Sequence, residues 1–122
     1  MAFGPDTNSI LQRIDSRLEN IYRLIELQNR SQIETIVRKL ATTKERRKMW
    51  ILCDGLRKTE EIARLSGNAL RTVQQFVQEG ERAGLLDTNQ RGYPRRRFDV
   101  IPSDWSIEVG ELEKALQSTP AP

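Results

Sequence analysis

The sequence predicts a mainly α-helical chain with one small β-hairpin, an α+β class. Three observations carry this expectation. Apolar residues recur at helical spacing through residues 9–40 with no interrupting Gly or Pro. Three shorter amphipathic segments follow, separated by turn residues. Two short runs with strand-like patterning then flank the turn NQRGYP.

Residues 1–8 read as a flexible leader in which Asp6, Thr7 or Asn8 can cap a helix. From residue 9 onward, Leu11, Ile14, Leu18, Ile21 and Ile25 follow a 3, 4, 3, 4 spacing with mostly polar residues between them, which is a heptad seam. Strict continuation would put Gln28 on the seam. A slip of one residue gives Asn29, then Ile33, Ile36 and Leu40. Such a stutter unwinds a coiled coil or marks passage to another packing partner. One helix over residues 9–40 would be roughly 45 Å long. The narrow seam, flanked by Arg13, Arg17 and Arg23, suits pairing with a second copy, Asn29 setting the register. Folding back onto its own domain is the alternative.

Residues 41–105 carry the remaining elements. Thr42 or Thr43 caps a helix that turns Met49, Leu52, Cys53 and Leu56 inward and ends near Gly55. Thr59 caps a second, with Ile62, Ala63 and Leu65 inward, broken by Ser66, Gly67 and Asn68. A third places Leu70, Val73 and Val77 inward and stops at Gly84. Residues 85–88 read as a strand and 89–94 as a turn. Residues 97–101 read as the return strand, Phe98 and Val100 inward and Arg97 outward. Residues 106–122 are expected to add a helical turn or two before a disordered, Pro-ended terminus.

Composition bounds the function. A chain of 122 residues has room for one compact domain plus one extended element. At 37% hydrophobic and 30% charged, it supports a small core rather than a large catalytic cavity. The net charge of +3 is unevenly placed. Residues 1–37 hold four Lys/Arg against five Asp/Glu, residues 38–105 fifteen against nine, and residues 106–122 one against three. The middle of the chain is therefore the part that attracts a polyanion.

There is no histidine, which removes the commonest general base and metal ligand. The single Cys53 follows Trp50, Ile51 and Leu52, so a buried thiol is expected, with no internal disulfide and no thiolate zinc site. No acidic pair accompanies a phosphate loop or nucleophile motif. No enzymatic activity, cofactor or metal is expected. No apolar run approaches ~18 residues and no basic-then-apolar leader opens the chain, so a soluble, cytoplasmic protein without membrane contact is expected.

Three helices, the last two joined by a three-residue turn, followed by a hairpin, is the order of a winged helix-turn-helix domain. The stretch KTEEIARLSGNALRTVQQFVQEGERAGLL resembles the helix-turn-helix of winged-helix regulators of the MarR, ArsR and TrmB kind. The shared features fall on Thr59, Ile62 and Ala63, Ser66 and Gly67, Val73, and Ala83 to Leu86, and the resemblance covers residues 44–105. It departs at Gly80, where those families place a large aliphatic residue. A glycine there costs about 1 kcal/mol of helix propensity. It is read either as room for another element, with Phe76 or Trp50 filling the gap, or as a kink.

The resemblance implies a third helix lying in the DNA major groove. Its outer face would show Asn68, Arg71, Thr72, Gln75 and Gln78, with Gln74 on the flank. Arginine pairs bidentately with guanine, and Asn or Gln with adenine. RGYPRRRF becomes the tip and return strand of a wing. Arg91, Tyr93, Arg95, Arg96 and Arg97 would then meet the backbone or minor groove. The run KERRK (Lys44, Arg46, Arg47, Lys48), with Arg57 and Lys58, offers candidate phosphate contacts, a solvated basic face being the plain alternative.

The expectation is a homodimeric, nucleoid-associated transcriptional regulator binding double-stranded DNA at an inverted repeat, its half-sites about one helical turn apart. A DNA-organising or segregation protein of low sequence preference would use the same residues. A winged-helix interaction module in a larger assembly, or a binder of structured RNA, would overlap with them.

Overall fold

The structure, a computed structural model, describes residues 5–89 and 91–118. Five helices and one antiparallel hairpin follow in order: α1 (Pro5–Leu40), α2 (Lys44–Leu52), α3 (Thr59–Ser66), α4 (Leu70–Arg82), β1 (Leu86–Thr88), β2 (Pro94–Arg96) and α5 (Ser106–Ser118). A 3-10 turn, Ser103–Trp105, leads into α5. None of the described helices is long and apolar enough to cross a membrane.

α1 opens at Pro5 and takes in Asp6, Thr7 and Asn8 from the expected leader, whose first four residues lie outside the described ones. Its backbone leaves helical geometry at Asn29 (φ −126°, ψ 25°), the residue at the stutter. The Asn29 amide donates to the Ile25 carbonyl at 3.3 Å, a local side-chain bond of the kind that bends helices. The two segments do different work. After Asn29, Ile33, Val37 and Leu40 enter the core, while Ile36, expected on the same stripe, faces outward. Before it, Leu11, Ile14, Leu18 and Ile21 stay about half exposed, and only Ile25 packs against the core.

Thr43 Oγ accepts the Arg46 N–H at 3.2 Å and caps α2. α2 ends at Leu52, so Leu56 lies beyond it and is 76% exposed, not inward as expected. Thr59 is the first residue of α3 rather than its cap. α3 stops on Gly67, whose φ of 73° is the left-handed conformation that favours glycine. In α4 the buried stripe is Val73, Phe76, Val77 and Gly80. Leu70, expected inward, is 37% exposed because Phe76 completes the stripe in its place. The helix runs on through Gly80, and Leu86 of β1 fills the space above it.

The return strand is Pro94–Arg96, not residues 97–101. Asn89 shortens the turn. Its Oδ1 accepts the Arg91 and Tyr93 N–H groups at 3.0 Å each, and Gly92 takes φ 81°. The register is then Leu86 opposite Arg96, Asp87 opposite Arg95 and Thr88 opposite Pro94. Proline is tolerated as the first residue of an edge strand. Val100 is buried beyond the strand, its carbonyl accepting the Trp50 Nε1–H at 2.9 Å.

α5 is longer than the expected turn or two, at 13 residues. Trp105 and Leu112 are buried, and the helix packs on α2 and α3. The shared core, with Trp50, Trp105, Phe76 and Met49 its largest side chains, also buries the Cys53 thiol as expected. That burial pushes its pKa up to about 12.

Candidate nucleic-acid interface

Basic side chains sort into those already held by this chain's own acids and carbonyls and those left open. The KERRK run belongs to the first group. Lys44 and Lys48 both reach Glu111 on α5 at 2.8 Å, and together they hold its carboxyl down to about 2. Arg46 bonds Glu79 on α4 at 2.7 Å and the Leu40 carbonyl at 3.0 Å, and its guanidinium lies 5.9 Å from the Phe76 ring centre. That bond keeps the Glu79 carboxyl below its ordinary range. Arg47 pairs with the buried Glu108 at 3.4 Å and sits 5.5 Å from the centre of the Trp105 ring. The run thus ties α2 to α4 and α5. Arg57 pairs with Asp54, whereas Lys58 is exposed with no acidic partner among the described residues.

The hairpin divides its arginines by register. Arg96, opposite Leu86, turns inward and its side chain is 11% exposed. Its Nη1 donates to the carbonyls of Trp50 and Ile51 at 2.8 and 2.6 Å, and its Nε to Asp99 at 3.1 Å. These carbonyls belong to the last turn of α2, where that of Trp50 also accepts the Cys53 N–H at 3.2 Å. Arg95 turns outward, lays its aliphatic part over Gly55 and approaches Glu19 of α1 at 3.6 Å. Arg91 and Arg97 are exposed and have no acidic partner among the described residues. Tyr93 is half-buried and its backbone closes the turn against Asn89. A polar cleft of about 210 Å³ separates the hairpin from α1, its lining including Glu19, Arg23, Asp54, Arg95, Arg97 and Asp99.

On α4, Arg71, Thr72, Gln74, Gln75 and Gln78 are all exposed, away from the buried stripe, and make no side-chain bond among the described residues. Asn68 is different. It is half-buried, and its amide donates to the Ser66 carbonyl and hydroxyl at 3.1 Å each. The structure thus gathers five of the six residues expected on this face and ties the sixth into the preceding turn. Leu70, at the start of α4 beside Arg71, is an exposed apolar side chain that the sequence reading had turned inward. At about 100° per residue it lies at the edge of the stripe, the signal that could have placed it.

Chemically, this surface offers unpaired guanidinium groups and free amides. Among the described residues, no three His, Cys, Asp or Glu are placed to hold a metal ion. Comparison with family models, curated proteins and solved structures gave no match.

Proposed function

We propose that this chain is a homodimeric winged helix-turn-helix protein that binds double-stranded DNA as a transcriptional regulator. In this reading α4 meets base edges in the major groove, and the hairpin holds the backbone or minor groove. The observation that carries it is the sorting of charge. The basic side chains of α2 are committed within the fold, whereas Arg71 on α4 and Arg91 and Arg97 on the hairpin are exposed and unpaired among the described residues. An exposed guanidinium beside exposed glutamines suits base readout, and unpaired arginines on a turn suit phosphates. The half-exposed apolar residues of α1 supply a face on which a second copy can pair.

The test is binding to a random-sequence duplex pool across a salt series. The native chain should bind with a steep fall of log K against log salt. An Arg91→Ala/Arg97→Ala variant should bind more weakly, its slope shallower by about 2 if both arginines meet phosphates. Absence of affinity at low salt would sink the reading. Sequencing the retained duplexes separates a sequence-specific regulator from a general organiser.

A further inference from the structure

The first segment of α1 touches the hairpin and the stretch just after β2 with one face and leaves another largely uncovered. Tyr22 meets Phe98 edge-on, ring centres 5.5 Å apart at 87°. Glu26, its side chain only 13% exposed, accepts the Asp99 backbone N–H, and Glu19 reaches Arg95. At about 100° per residue, Glu19, Tyr22 and Glu26 centre roughly 90° around the helix from Leu11, Ile14, Leu18, Ile21 and Ile25. Hairpin contact and the exposed seam residues Leu11, Ile14, Leu18 and Ile21 therefore lie on adjoining faces, Ile25 alone of the seam packing on the core.

The Glu19 to Arg95 pair is long and exposed on both sides, so a phosphate displaces it readily and the contact is a poor inhibitor of binding. The ring contact and the sheltered Glu26 bond are geometric constraints instead. They fix where the stretch after β2 sits along the helix.

We infer that Tyr22 and Glu26 are positioning residues that lock the hairpin to α1, so that pairing of two α1 helices fixes the separation of the two hairpins before any DNA is present. This rests on the pairing proposed above. It makes the tolerated half-site spacing a property of α1 and its kink at Asn29, and not of the hairpin loops.

The test places a nitroxide on each hairpin through Asp87→Cys, an exposed strand position, in the full chain. Cys53 is buried and stays unlabelled. Pulsed dipolar spectroscopy then reads the distance between the two labels without DNA. One narrow distance is expected. In a Tyr22→Ala/Glu26→Ala background, the distribution should broaden about twofold or more as α1 loses its hold on the stretch after β2, with the dimer mass unchanged by sedimentation. Tyr22→Phe/Glu26→Gln, which keeps the ring and the acceptor, should restore the narrow distance. Equal widths with and without the two side chains would overturn the inference, as would a broad distribution in the parent. A monomer by sedimentation removes both the pairing and this inference. A narrow distance that depends on Tyr22 and Glu26 in a chain without DNA affinity supports the inference and removes only the DNA reading.

Discussion

Leu86 packs directly on the backbone of Gly80. A Cβ added at Gly80 would lie 2.4 Å from Leu86 Cδ1, 2.7 Å from Cγ and 3.1 Å from Cβ. Leu86 is fully buried and held in register opposite Arg96, so more than the tip of a flexible side chain would have to move. Gly80→Ala gains about 1 kcal/mol of helix propensity and meets an overpacking cost of about 1–3 kcal/mol. Net destabilisation of about 0–2 kcal/mol is expected in urea unfolding. In a Leu86→Ala background the same change should be neutral or stabilising. Additive effects in the double variant would show that the two residues are not coupled.

Arg96 and Arg97 are neighbours with opposite roles in the fold. Removing the Arg96 guanidinium takes a charged donor from the Trp50 and Ile51 carbonyls, and that of Trp50 keeps only the Cys53 N–H. Charge-assisted bonds of this kind contribute about 1.5–3 kcal/mol, so Arg96→Ala should cost about 2 kcal/mol. Arg97→Ala, at an exposed and unpaired position, should fall within about 0.5 kcal/mol of the native chain. Chemical denaturation of the two single variants checks the contrast. Under the proposed function, it also separates DNA affinity lost through unfolding from affinity lost through a missing contact.

The difference between these two arginines was not legible in RGYPRRRF, because one residue of register decides it. Alternation read back from Phe98 and Val100 moved the strand three residues too far along the chain. The Asn89 side chain, closing the turn on Arg91 and Tyr93, set the register instead. The fate of KERRK was hidden for a related reason, since its acidic partners Glu79, Glu108 and Glu111 lie 33 or more residues away. α5 was readable. Trp105, Val109, Leu112 and Leu116 recur at a 4, 3, 4 spacing, but the Pro-ended tail drew the reading toward disorder. Helical spacing elsewhere placed α2, α3 and α4 well, because a buried stripe is a local property and a salt-bridge partner is not.

Glu111 makes stability depend on acid. Its carboxyl ordinarily titrates near 4.5 and is held down to about 2, first by the Lys44 bond and then by Lys48. A depressed folded-state pKa contributes stability that is complete above the unfolded value and lost as pH falls from about 4.5 toward 2. The group is exposed, so solvent and salt weaken the effect. Melting temperature followed from pH 5 to 2 at low salt should fall more steeply for the native chain than for Glu111→Gln. Parallel curves would mean that the two lysines do not hold the carboxylate in solution.

The apolar face of α1 makes the last prediction. Leu11, Ile14, Leu18 and Ile21 are about half exposed, and Ile10 and Leu24 widen the stripe on one flank. A run of this length left in water is the mark of an association surface. Leu18→Glu should therefore abolish self-association, leaving a monomer by sedimentation. Because Leu18 contributes nothing to the core, stability referred to the monomer should change by no more than about 0.5 kcal/mol. Under the proposed function, DNA affinity should fall further than any single base contact explains, since two linked domains bind with a high effective concentration that one domain lacks. An unchanged mass, whether one copy or two, would assign the seam to another partner or would move the dimer contact elsewhere on the fold.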